Sequence, residues 1–155
     1  MRRRSRLFFF LSVLGLASSC NSDRIFEEYH GMAALHWGLG DTVSFEVKTM
    51  RHDVTQPLIG IRYNDSYPFH NLYVRYLLKD TLGNTLMDSL LNIHLFDAKS
   101  GKPLGNGFGN VYTKYDSLPR VELSADMPVR ARFVQYMRED ELQGIEAVGL
   151  KINSK

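Results

Sequence analysis

Apolar and polar positions alternate with a period of two along most of this chain. Val43, Phe45 and Val47 are interleaved with Thr42, Ser44, Glu46 and Lys48, the pattern of a strand that buries one face. Residues 58–63 read as a second strand. Leu72, Val74, Tyr76 and Leu78 then oppose Tyr73, Arg75, Leu77 and Lys79, and Asp80-Thr81-Leu82-Gly83-Asn84 predicts a hairpin turn into a strand over 85–96. Residues 97–103 predict another turn, and strands over 121–124, 129–136 and 145–152 complete the set. About seven or eight short, closely spaced strands predict a single antiparallel β-sandwich, jelly-roll-like or Ig-like, with little helix.

Three stretches depart from this pattern. Ile25, Phe26, Tyr29, Met32 and Ala33 partly fit a helical face, but Gly31 weakens a helix, so residues 25–35 are expected to run extended along the sandwich edge. The acidic piece Glu139-Asp140-Glu141 suits one helical turn, because negative charge complements the positive N-terminal end of a helix. Leu104-Gly105-Asn106-Gly107-Phe108-Gly109-Asn110 resembles a phosphate cradle in its glycines, yet no Lys-Ser/Thr and no helix pattern follows. It is expected to be a bulged loop leading into a short strand at Val111-Tyr112.

The amino-terminal residues break the alternation altogether. Arg2, Arg3, Arg4 and Arg6 precede an apolar run over 7–16, then Ala17-Ser18-Ser19-Cys20. A positive n-region, a short h-region, small residues and a cysteine are the order of a bacterial lipoprotein signal. The run is about ten residues, where a membrane-spanning helix needs ~20, so a retained transmembrane helix is a poor reading. Residues 1–19 are expected to be removed, leaving Cys20 as the site of a thioether-linked lipid with palmitate-type acyl chains. Residues 20–24 then form the lipidated terminus and a short tether, and residues 25–155 the β-sandwich domain. Cys20 is the sole cysteine, and an exported lone thiol has no intramolecular partner, so lipidation accounts for it.

Cleavage changes the charge. Lys and Arg number 19 against 17 Asp and Glu; four of the 19 precede Cys20, leaving 15 against 17, or −2 in place of +2. A nucleic-acid partner therefore has no basic surplus to meet it. Each buried acyl methylene contributes about 0.8 kcal/mol, and two or three chains tether permanently. The protein is expected in the cell envelope, membrane-anchored, with the outer membrane facing the periplasm preferred.

Candidate chemistry is sparse. His30, His36, His52, His70 and His94 are dispersed, with no i, i+4 pair, so no metal site is expected. No Gly-x-Ser-x-Gly elbow occurs and the cysteine is consumed, so no catalytic residues, no cofactor beyond the lipid on Cys20 and no small-molecule substrate are expected. Aromatics crowd the middle of the chain, among them Trp37, Tyr63, Tyr67, Phe69, Tyr73 and Tyr76. Core or rim packing is their ordinary use; exposed ones would instead suit a glycan- or peptide-binding envelope lipoprotein.

Several fragments together resemble one family. They are Trp37 ahead of Asp41-Thr42-Val43-Ser44-Phe45; Arg62-Tyr63-Asn64 with Tyr67-Pro68-Phe69-His70-Asn71-Leu72; Asp88-Ser89-Leu90; Gly101 with Leu104-Gly105-Asn106-Gly107; and Met137-Arg138 with Leu142-Gln143-Gly144-Ile145-Glu146-Ala147-Val148-Gly149-Leu150. In order and spacing these resemble the gliding-motility lipoproteins called GldH, over nearly all the mature chain. Lys102-Pro103 departs from the pattern, since the family more often carries a bulkier hydrophobic residue ahead of Leu-Gly. The resemblance implies a non-enzymatic envelope component of gliding and its associated secretion, partnered by other envelope or motility-apparatus proteins. Because relatives occur in non-gliding bacteria, motility of the source does not follow. Trp37, Arg62, Tyr67 and Asn71 are the candidate interaction surface. Arg62, Tyr67 and Asn71 are equally read as a turn held by an arginine and an asparagine, the preferred account, with Pro68 pushing Tyr67 toward extended backbone at a corner.

Overall fold

A computed structural model describes residues 24–48, 56–121 and 127–153. Among the described residues, eleven strands carry almost all of the regular structure. In chain order they are β1 (Arg24–Gly31), β2 (His36–Gly38), β3 (Thr42–Val47), β4 (Leu58–Asn64), β5 (Asn71–Asp80), β6 (Thr85–His94), β7 (Asn106–Phe108), β8 (Val111–Ser117), β9 (Val129–Gln135), β10 (Glu141–Gln143) and β11 (Ile145–Asn153). A five-stranded sheet runs β1-β11-β4-β8-β7 and a four-stranded sheet β3-β9-β5-β6, every pairing antiparallel. The small pair β10-β2 closes one end. Among the described residues no helix is long and apolar enough to cross a membrane.

The inward faces follow the alternation. Val43, Phe45 and Val47 are buried while Thr42, Ser44 and Glu46 are exposed, and Leu72, Val74, Tyr76 and Leu78 are buried on β5. Phe26 of β1 bridges the layers, meeting Phe45 of β3 edge-on at 6.4 Å, and within the four-stranded sheet Phe45 meets Phe133 at 6.0 Å and Tyr76 stacks on Phe133 at 5.4 Å. Burying each such side chain contributes about 1.5–3 kcal/mol. The sandwich of two antiparallel sheets is the expected fold, and β1 is the expected extended segment at its edge as far as Gly31, after which Ala33–Leu35 form a 3-10 turn, with φ +51° at Ala34 and +59° at Leu35, instead of continuing extended.

The glycine-rich stretch differs from expectation. Residues 106–108 form β7, a hairpin strand on β8, and β8 continues to Ser117 rather than ending at Tyr112. The glycines serve strand contact: a Cβ on Gly105 would lie 2.8 Å from the Thr113 carbonyl, one on Gly107 would overlap the Val111 carbonyl, and Gly109 turns the chain at φ +66°. No helical turn forms over 139–141. Glu141 instead opens β10, because pairing with β2 lets Leu142 enter the core beside Trp37. The strand expected over 121–124 falls mostly outside the described residues.

Chain direction gives the sandwich two distinct ends. β1 and β4 begin, and β8 and β11 finish, at one end, which in the other sheet holds Val47, Val129 and the β5–β6 hairpin. At the opposite end lie β2, β10, the 64–71 corner and the β7–β8 turn. There, buried Gln135 holds the chain after β9: its Nε2 donates to the Glu139 carbonyl at 2.7 Å and its Oε1 accepts from Met137 N–H at 2.8 Å.

Candidate functional site

The four residues of the candidate surface fall in three places. Trp37 is wholly buried, with Nε1 donating to the Asp41 carbonyl at 3.0 Å. Tyr67 and Asn71 share the corner between β4 and β5. Asn64 Oδ1 accepts from Ser66 N–H at 2.9 Å, Tyr67 N–H donates to the Asn64 carbonyl at 3.1 Å, and the Tyr67 hydroxyl donates to the Asn71 carbonyl at 2.8 Å. These bonds tie a short-range turn, which is why asparagine and tyrosine stand there. Arg62 is not part of it; its guanidinium lies 5.1 Å above the Tyr29 ring on the outside of the five-stranded sheet. Cys20 lies outside the described residues.

That outer face is covered by its own side chains. Tyr29, Gly149, Gly60 and Tyr115 stand in one register row across four strands. Without side chains on the two glycines, the Tyr29 ring lies flat in the trough; a Cβ on Gly149 would fall 2.6 Å from its Cε1. The Tyr29 hydroxyl donates to the Tyr115 hydroxyl at 2.8 Å, which donates to Glu27 Oε1 at 3.0 Å. Lys151 sits 5.0 Å from the Tyr115 ring centre and 3.8 Å from Glu27.

The outer face of the four-stranded sheet is different. Tyr136 is 58 % exposed, Leu90 53 % and Tyr73 37 %. Tyr136 N–H donates to the Tyr73 carbonyl, and Arg75, beside Tyr73, pairs with Leu90 on β6 and Val134 on β9. Arg75 holds Asp88 through two bonds of 2.9 and 2.7 Å. Aromatic and aliphatic groups around an arginine are what protein interfaces favour. Leu90 and Tyr136 carried no motif. The available signal was the outward face of the β5 alternation, where Tyr73 and Leu77 are apolar at positions that a solvated strand would fill with polar residues.

Three carboxylates have structural partners. Asp80, Asp88 and Asp97 are all held below the ordinary carboxylate range: Asp80 by hydrogen bonds from Asn84, Asp88 by Arg75, and Asp97 by Ser100. Each stays anionic and caps a turn or a strand pair. Among the described residues no three His, Cys, Asp or Glu side chains converge as metal donors. Burial raises the phenols of Tyr67 and Tyr76, the latter to about 12. Such a rise means that stability is full below pH ~10, where the unfolded phenol begins to ionise, and is lost as pH climbs toward the folded value, by about 1.4 kcal/mol per pH unit for each tyrosine. Alkaline titration is therefore expected to give a late phenolate step at 295 nm that coincides with loss of the β circular dichroism signal. Both tyrosines ionising near pH 10 in the folded protein would contradict it.

Comparison with known proteins matches this whole architecture. The family model described as GldH lipoprotein matches residues 24–152, from the first strand to the last. A protein named gliding motility lipoprotein GldH homolog from Christiangramia forsetii is 29 % identical over 98 % of this chain and 97 % of its own. The gliding motility lipoprotein GldH of Flavobacterium johnsoniae is 28 % identical over 90 % of this chain and 91 % of its own. Among solved structures, a family GH115 4-O-methyl-α-glucuronidase with specificity for decorated arabinogalactans superposes with a TM-score of 0.51 at 11 % identity. That match covers 85 % of this chain but 18 % of the glucuronidase, and it is a likeness of fold alone. With a family match running from β1 to β11 and two relatives matched over nine-tenths or more of both chains, this chain belongs to the GldH lipoprotein family.

Proposed function

We propose that the protein is a lipid-anchored, non-enzymatic component of the gliding-motility and secretion machinery, which docks its sandwich on partner envelope proteins. The observation that carries this reading is the open outer face of the four-stranded sheet, where Tyr73, Leu90 and Tyr136 are exposed around Arg75. Support comes also from the names of the relatives and from the signal that ends in Cys20. A tether restricts the domain to a thin layer at the membrane, so its effective concentration toward other anchored partners is high and modest interfaces suffice. The outer membrane, on the periplasmic side, is the location that this reading prefers.

Cross-linking in native membranes tests it. Defined envelope neighbours are expected with the natural chain, and fewer with Tyr136→Ala or Leu90→Ser, which leave the buried face untouched. Recovery of no neighbour above a Cys20→Ala control would sink the proposal.

A further inference from the structure

We propose that the end of the sandwich where β1 begins is a membrane-docking surface, which presents Leu82 and the cations Lys48, Lys79 and Arg130 to anionic phospholipid headgroups. The inference rests on the lipid anchor at Cys20. Three residues, 21–23, separate Cys20 from Arg24, the start of β1. Fully extended, the four steps from Cys20 to Arg24 span about 14 Å at most. The ten residues of β5 run the height of the sandwich, about 33 Å. Only one end of the domain is therefore within reach of the headgroups, and it is the end holding Val47, Val129 and the β5–β6 hairpin.

That end is built for such a surface. Leu82 is 87 % exposed at the hairpin tip. The turn beneath it is fixed: Asp80 accepts from Asn84 N–H and Nδ2, both at 2.8 Å, and Gly83 takes φ +90°. Leu82 thus projects from a rigid support, as an apolar side chain must if it is to enter the headgroup layer without further ordering. Beside it, Lys48, Lys79, Arg130 and Arg132 line an open hollow of about 330 Å³, together with Glu46 and Asp80. Lys79 and Arg130 are register partners across β5 and β9. Four cations line the hollow against two carboxylates, Asp80 and Glu46, the latter paired with Arg130, so cations are in excess.

The opposite end has the other character. It exposes the five acids Asp41, Asp65, Glu139, Asp140 and Glu141 against the three cations Lys99, Lys102 and Arg138. An anionic leaflet attracts the tethered end and repels the acidic group at the far end, so the two contributions act in the same direction. A lipid alone leaves the domain free to roll; a second contact at the hairpin holds it upright.

The test uses the full lipidated chain in phosphatidylcholine vesicles with or without phosphatidylglycerol. Because lipid occupies Cys20, a cysteine introduced by Leu82→Cys, or by Phe108→Cys at the far end, takes a single environment-sensitive NBD label. Emission at 82 is expected to rise several-fold when phosphatidylglycerol is present and to collapse at high salt, while emission at 108 stays unchanged. Combining Lys48→Gln, Lys79→Gln and Arg130→Gln is expected to abolish the rise with flotation intact; the salt response gives the same answer with no charge substituted. Equal emission at 82 and 108 on vesicles that still carry the protein overturns the docking surface but leaves the anchor standing. Failure of the natural chain to float overturns the anchor, and the docking surface with it.

Discussion

Gly144→Ala is expected to lower stability by about 3 kcal/mol or more, a fall in Tm of roughly 10 °C for a domain of this size. Gly144 separates β10 from β11 at φ +76°, where a Cβ is disfavoured by about 1–2 kcal/mol even in open space. Here the space is filled. An added Cβ would overlap the Tyr67 backbone nitrogen and lie 2.9 Å from the Ser66 carbonyl carbon, backbone atoms that cannot rotate away. Gly144 also donates its N–H to the Leu35 carbonyl at 3.0 Å and accepts from Asn64 N–H at 2.9 Å, so a shift there loosens three loops together. Gly83 is the internal control. It has φ +90° but nothing within 4 Å, and Gly83→Ala should cost only the conformational part, about 1–2 kcal/mol. Urea unfolding of both variants checks the comparison; equal losses would mean that the 64–71 corner yields and that its packing on Gly144 is not rigid.

Trp37→Ala is expected to cost about 3–5 kcal/mol, the range for removing a fully buried large aromatic side chain. Trp37 is the register partner of Leu142 in the β2–β10 pair that closes one end of the core. Truncation removes that plug and leaves the Asp41 carbonyl without its 3.0 Å donor. Because Trp37 is the only tryptophan, unfolding should be followed by circular dichroism in the variant and by both signals in the natural chain. Trp37→Phe separates structure from recognition: it keeps most of the ring volume and should retain cross-linking to partners at near-natural yield. Loss of those cross-links with a folded Trp37→Phe domain would return Trp37 to the interaction surface.

The legible parts of the fold were those in which one residue determines its own role. Val43, Phe45 and Val47 bury themselves because they alternate with polar neighbours, and 80–84 turns because Asp80 and Gly83 favour it locally. The 139–141 stretch misled because its charges describe only the solvent side. Whether Glu141 begins a helix or a strand depends on Leu142 finding Trp37, about a hundred residues earlier in the chain, and no local preference reports that. The glycines over 105–109 are a similar case. Their number was visible, but whether they cradle a ligand or admit a neighbouring strand depends on Val111 and Thr113 lying against them.

Candidate surfaces divide the same way. Tyr73 and Tyr76 are equivalent as letters, and alternation says only that one faces inward; packing on Phe133 assigns Tyr76 to the core and leaves Tyr73 outside beside Tyr136. Arg62, Tyr67 and Asn71 stand within ten positions of one another, yet strand polarity sends Arg62 to the outer sheet face and keeps the other two in the corner.

By itself the sequence determined the strand content, the antiparallel sandwich and the membership signalled by its spaced motifs, because periodicity and short-range chemistry are written in neighbouring residues. Only the tertiary structure decided which face stays open, which loops share the end where β1 begins and which aromatics are spent on the core. Those outcomes depend on strands far apart in the chain meeting in one register, and burial, charge balance and direction come into being only when they meet.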